Sequence, residues 1–344
     1  MKRLWFSCLI IFFLTGIIFS FLLFGSATKF DEKQVYVYIT NEQNMPVAKQ
    51  ILQQLKENRK VRNSSLFVWI AYQTNSLKRV KPGRFKIEKG QSLFSILRTF
   101  RNNKQSEVKL VLNKERTLEN IATNIANAFE ISPNTVLLFL TNKDSLAKFS
   151  VNEFTATTLF IPDTYYLYWT NNVGKIIDRL ASEKTAFWQK ENRISRAEKL
   201  GLTPEQVYTI ASIVEEETNY LPEKDTIASV YINRYKKGMN LGADPTVKFA
   251  LNNFSIKRIL FEHLTTTSPY NTYKYKGLPP GPICIPSKKT IDAVLNAAST
   301  NYLFFVAKDS FDGTHKFSTN YTEHLQYARA YQEKLNIYMK NKQP

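Results

Sequence analysis

The sequence predicts an α+β protein in three parts: an N-terminal transmembrane helix over residues 1–25, a small α+β domain over 30–105 and a larger mixed α+β domain over 106–344. Three observations lead there. An uncharged run extends from Leu4 to Phe24. Short β-branched and aromatic runs alternate with segments whose apolar residues recur every three or four positions. A proline-opened helix, residues 204–217, ends in three consecutive glutamates. Hydrophobic content of 43% and aromatic content of 13%, with only 11 Gly and 13 Pro, exclude a largely disordered chain.

The apolar run has the ~20 residues needed to span a bilayer as a helix. A signal peptide has a shorter apolar region of about 7–15 residues, so an uncleaved anchor is expected, although Gly25-Ser26-Ala27 offers a weak cleavage site. Lys2 and Arg3 stay in the cytoplasm by the positive-inside rule. The rest of the chain is therefore expected on the extracytoplasmic (periplasmic) side of the inner (cytoplasmic) membrane, held by a single pass. Cys8 lies inside this run and Cys284 is the only other cysteine, so the exported part can form no internal disulfide. A net charge of +18 implies attraction to anionic surfaces. The lysines are scattered rather than gathered in a basic arm, and an exported chain meets phospholipid headgroups and anionic wall polymers, so no nucleic acid partner is expected.

After a polar linker, Val35 to Ile39 reads as a strand, Pro46 to Glu57 as a helix, and Ser64 opens a second helix. Pro82-Gly83 marks a turn, Phe85 and Ile87 a short strand, and Ser92 to about Phe100 another helix. The phrase Gly90-Gln91-Ser92-Leu93 between that strand and helix resembles the LysM module, which binds glycans containing N-acetylglucosamine. A small α+β scaffold with no ligand gives the same pattern.

Glu107 to Leu112 reads as a strand, Thr117 to Phe129 as a helix, and Ser132-Pro133 opens a further one. Leu159 to Tyr165 breaks the pattern; a helix from Val173 to Gln189 then leads into a polar stretch, Lys190 to Leu202. In the glutamate-ended helix, Val207, Ile210, Ile213 and Val214 form an apolar stripe. At about 100° per residue, Glu217 falls inside it, about 20° from Ile210. Its carboxyl is thus expected to be desolvated, with a pKa raised toward neutrality as a general acid needs. Glu215 and Glu216 fall on other faces and read as solvated. The chain then turns and enters a helix at Pro222 that presents Ile227, Val230, Tyr231 and Arg234 on one face and stops at Gly238.

Three phrases rich in proline and glycine follow, Asp244-Pro245-Thr246, Ser268 to Tyr273 and Gly277 to Ile283, and read as loops displaying binding groups. With Ala211-Ser212-Ile213-Val214-Glu215-Glu216-Glu217-Thr218 before them and Gly313 to Asn320 after them, they resemble the MltG (YceG-like) family of endolytic murein transglycosylases. The resemblance implies that Glu217 is catalytic and that Asp244, Thr246, Asn271, Thr272 and Tyr273 surround the substrate cleft. Relatives commonly carry Glu-Gly where this chain has Thr157-Thr158.

The implied substrate is the glycan strand of peptidoglycan, cut between N-acetylmuramic acid and N-acetylglucosamine with closure of a 1,6-anhydro ring. Peptidoglycan synthases are the implied partners. One acid suffices for this chemistry, and no cofactor or metal is expected. His263, His315 and His324 form no H-x-x-x-H pair, and His315 and His324 read as structural. A non-catalytic peptidoglycan-binding scaffold and an ordinary hydrolase are the rival readings.

Overall fold

The computed structural model describes residues 2–40, 45–57 and 60–340. These fall into two compact units: Met1–Lys109 with Tyr166–Asn172, and Leu110–Tyr165 with Val173–Pro344.

The first unit opens with α1 (Lys2–Phe24), whose stretch Trp5–Phe24 has a mean hydropathy of 2.6 and is nowhere buried. By length and composition it can cross a membrane. β1 (Gln34–Ile39), α2 (Val47–Glu57), α3 (Ser64–Gln73), β2 (Gly83–Glu88) and α4 (Leu93–Arg101) follow, as the apolar spacing predicts. β1 and β2 pair antiparallel with Val37 opposite Phe85 and Val35 opposite Ile87. Alternation puts Val37, Ile39, Phe85 and Ile87 on one face, where they are fully buried with Ile51, Ile96 and Phe100. Ser92 caps α4 by accepting from the Ser95 amide.

β3 (Glu107–Leu112) pairs with β4 (Asp163–Tyr168). Between them lie α5 (Leu118–Phe129), α6 (Pro133–Thr141) and α7 (Lys143–Ala147); after them come α8 (Val173–Gln189), α9 (Arg193–Lys199), α10 (Pro204–Glu217), α11 (Lys224–Lys236), α12 (Asp244–Ala250) and α13 (Lys288–Leu295). An antiparallel hairpin of β5 (Phe304–Ala307) and β6 (His315–Ser318) precedes α14 (Tyr321–Lys340).

The core of the second unit forms around α10. Thr203 and Gln206 close a capping box at its start, with Pro204 in the first turn. Every residue from Val207 to Val214 is buried, the polar Thr209 and Ser212 included. Ser212 satisfies itself by donating to the Thr209 carbonyl and accepting from the Ile283 amide.

Three local expectations change. The break at Leu159 to Tyr165 runs into strand β4, where Tyr165 and Leu167 alternate inward. The polar stretch after Gln189 contains α9, because Arg193 is buried by a bidentate pair with Asp292, at 2.8 and 3.0 Å, which periodicity cannot register. Asp244-Pro245-Thr246 is the first turn of α12 rather than a loop; proline fits there because that amide has no helical partner.

The phenol of Tyr208, in the centre of α10, donates to the Phe160 carbonyl at 2.6 Å with the Thr157 carbonyl 3.2 Å away. Tyr208→Phe would orphan the buried Phe160 carbonyl, while Thr157 keeps its bond from the Phe160 amide, and should cost about 1–3 kcal/mol in denaturant unfolding. An unchanged midpoint would show that the 156–160 turn needs no such tie.

Candidate functional site

The three glutamates that end α10 lie at the negative end of the helix dipole, where carboxylates are unfavourable. Each meets a different environment. Glu215 accepts from Lys224 at 2.8 Å, from Ser287 at 3.1 Å and from Thr290. Glu216 is gripped by Arg116 through two bonds of 2.9 and 3.0 Å and by Lys114 at 3.1 Å. Lys114 also donates to the Glu215 carbonyl, capping the helix end. Burial works against ionising both side chains, but these donors outweigh it and hold both pKa values below the usual range. The expectation that Glu215 and Glu216 are solvated is therefore corrected: each side chain is only 13% exposed. Their faces of α10 pack against other elements, so the helix has no solvent side for them.

Glu217 forms no ion pair among the described residues. It is half-buried and accepts one hydrogen bond, 2.5 Å from the Tyr231 hydroxyl on α11. Burial pushes its pKa up to about 7, and the nearby Asp244 adds to this; Tyr231, Lys248 and Arg234 act the other way without cancelling it. The carboxyl therefore exchanges its proton near neutral pH.

Glu217 lies on a cleft of about 510 Å³, within the usual range for small-molecule sites. Arg234 and Asp244 supply polar groups to its lining, and Tyr273, Phe304 and Tyr321 supply aromatic rings suited to the apolar faces of sugars. Arg234 is fixed by donating to the carbonyls of Leu303 at 2.5 Å and Leu241 at 2.6 Å. The Tyr273 hydroxyl donates to Asp244 at 2.5 Å. Gly242 has φ +57°, and a Cβ there would stand 3.3 Å from Arg234, so the wall needs glycine.

Of the residues expected around the cleft, Glu217, Asp244 and Tyr273 line it. Thr246, Asn271 and Thr272 do not; they are buried behind it. The Thr246 and Thr272 hydroxyls bond each other at 2.8 Å, and Thr272 accepts from the Ala243 amide at 3.0 Å. Asn271 donates to the carbonyls of Leu264 and Thr266 and accepts from the Tyr273 amide. These three side chains hold Asp244 and Tyr273 in place.

Tyr231, Arg234, Phe304, Tyr321 and His324 also line the cleft and were not read from sequence as site residues. Tyr231 and Arg234 carried a usable signal, polar tips on the apolar face of α11. His324 stacks on Phe304 with centroids 5.2 Å apart; burial lowers its pKa, as does Arg234, and its Nδ1 has no hydrogen-bond partner among the described residues. His315 instead pairs with Glu223 at 2.9 Å. No three His, Cys, Asp or Glu side chains among the described residues gather closely enough to ligate one metal ion.

Because the folded state raises the Glu217 pKa from 4.5 to about 7, its protonated form suits the fold below pH 4.5, and that advantage is lost as pH rises through 7. Glu217→Gln should match the wild type in thermal unfolding at pH 4 and be more stable by roughly 3 kcal/mol at pH 8. Equal stability at both pH values would show that the carboxyl is not desolvated.

Residues 37–330 match the YceG-like family. An endolytic murein transglycosylase of Bacillus subtilis is 39% identical over 130 residues, which are 38% of this chain and 35% of the relative. One from Streptococcus pneumoniae R6 is 29% identical over 246 residues, 69% of this chain and 42% of the relative. The matched stretches thus span well under half of those curated relatives. The crystal structure of a yceG-like protein from Listeria monocytogenes superposes with a TM-score of 0.56 at 25% identity, covering 86% of this chain and 99% of that one. With most of its length matched, this chain belongs to the YceG-like family.

Proposed function

We propose that the chain is a membrane-anchored endolytic lytic transglycosylase that cuts the β-1,4 bond between N-acetylmuramic acid and N-acetylglucosamine in nascent peptidoglycan, ending strand elongation. The observation that carries this reading is the carboxyl of Glu217, poised near pH 7 in a cleft lined with aromatic rings. The relatives named as endolytic murein transglycosylases support it.

In this reading Glu217, protonated, gives its proton to the glycosidic oxygen as the bond from muramyl C1 breaks. As a carboxylate it then takes the proton of the muramyl C6 hydroxyl, whose oxygen bonds to C1 and closes the 1,6-anhydro ring. The proton returns to Glu217 and no water is consumed. Each transfer contributes roughly 10²–10⁴-fold. Tyr231 orients the carboxyl, while Asp244 and Tyr273 act as substrate-binding groups. Residues 106–344 form the catalytic domain, residues 30–105 a LysM-like domain, and α1 a single-pass anchor that keeps the site near peptidoglycan synthases.

Incubating the full chain in detergent with un-crosslinked glycan strands, followed by mass spectrometry, should yield anhydro-ended products. Reducing ends would mean a hydrolase, and intact strands a binding scaffold. Glu217→Gln should lower turnover by orders of magnitude while folding is retained. The wild-type rate should fall about tenfold per pH unit above pH 7, as the acid form is depleted. A flat profile from pH 6 to 9 would remove Glu217 from the acid role. For topology, a periplasm-dependent reporter fused after Pro344 should be active, and activity of a cytoplasm-dependent one would reverse the orientation.

A further inference from the structure

We propose that a second cleft in the same unit binds the peptide stem carried by the muramyl residue, a role that rests on the transglycosylase reading of the first. This cleft has a volume of about 320 Å³ and is lined by Arg116, Glu119, Glu153, Phe249 and Tyr270 among others. Helix α12 connects the two: Asp244 lies on the first cleft and Phe249 on the second. The two residues are five positions apart in the helix, roughly 7.5 Å along the axis. An extended peptide advances ~3.3–3.6 Å per residue, so two or three residues bridge that distance.

The lining chemistry selects a peptide over a neutral sugar. Arg116 spends Nε and Nη2 on Glu216, and its Nη1 takes no hydrogen bond among the described residues. Since Lys114 also pairs with Glu216, two cations share one carboxylate and a positive charge is left over. The guanidinium is fixed over the Phe254 ring, 4.9 Å from its centroid. Glu119 and Glu153 form no ion pair among the described residues, so cation and carboxylates are presented together. Tyr270 is 9% exposed and packs on Phe249 at 4.6 Å, and its hydroxyl has no hydrogen-bond partner among the described residues. Tyr270 lines the cleft, and a phenol tip with no protein partner there is free to donate to a ligand. A stem peptide supplies the matching groups: backbone carbonyls for the phenol, free carboxylates for Arg116 and the amine of its diamino acid for the glutamates.

The test compares un-crosslinked strands that keep their peptides with the same strands stripped by an amidase, using the full chain in detergent. The wild type should show a KM about tenfold lower for the peptide-bearing strands, with kcat unchanged. The double variant Glu119→Gln/Glu153→Gln and the single variant Tyr270→Phe should lose that advantage and cut stripped strands at the wild-type rate. Equal KM values in the wild type, or an advantage kept by both variants, would overturn the proposal. Titration of free L-Ala-γ-D-Glu-L-Lys-D-Ala-D-Ala into the folded Glu217→Gln chain reads the site without cleavage. Binding that is weakened by Tyr270→Phe supports it. No binding, or binding displaced by an N-acetylglucosamine oligomer, defeats it. If neither strand is cut, the transglycosylase reading has failed, and the titration still decides the peptide site.

Discussion

The second unit depends on a single electrostatic constraint: three adjacent carboxylates must be accommodated at the end of a helix whose dipole already disfavours them. Two are neutralised outright, Glu215 by Lys224 and Glu216 by Lys114 with Arg116. With both flanking acids held ionised, the helix end is anchored on two sides and the last carboxyl is left without a cation. Glu217 can then do what the others are prevented from doing, which is to hold a proton near neutrality. Removing Lys224, or Lys114 together with Arg116, would strand a buried charge, commonly a loss of about 3–5 kcal/mol, so the tuning of Glu217 and the stability of the fold are tied together.

Helical phase made Glu217 legible: its place on the apolar stripe needed only α10 itself. The same wheel failed for Glu215 and Glu216, because their partners come from the segment after β3, from α11 and from the start of α13, and a wheel sees one helix at a time. Lys114 and Arg116 lie about a hundred positions upstream of Glu216, beyond any local pattern. Similar reasons explain α9, whose formation rests on Arg193 and Asp292, and the start of α12, where proline was read as a loop signal although it equally suits a first turn. Strands β1 and β2 and helices α2 to α4 were legible because alternation and apolar spacing agreed there with burial.

The family pattern found the neighbourhood of the cleft but not the division of labour within it. Thr246, Asn271 and Thr272 sit in phrases that read as binding loops, and their hydrogen-bonding capacity is consumed by backbone and by one another. Sequence gives a threonine's position in a phrase but not whether its hydroxyl faces in or out. Tyr273, next in the chain, turns to the cleft because Asn271 pins its amide.

The cleft is built from two materials. Its floor is α10 and α11, whose side chains around Glu217 and Tyr231 belong to the buried core. Its opposite side comes from β5 and α14, and no residue of α14 is buried. A wall fastened so lightly can exchange its aromatic side chains at small cost to folding, whereas the floor cannot change without loss of the core. Variation in what the cleft admits can thus accumulate in the C-terminal segment, while the Glu217 carboxyl and the core beneath it stay fixed.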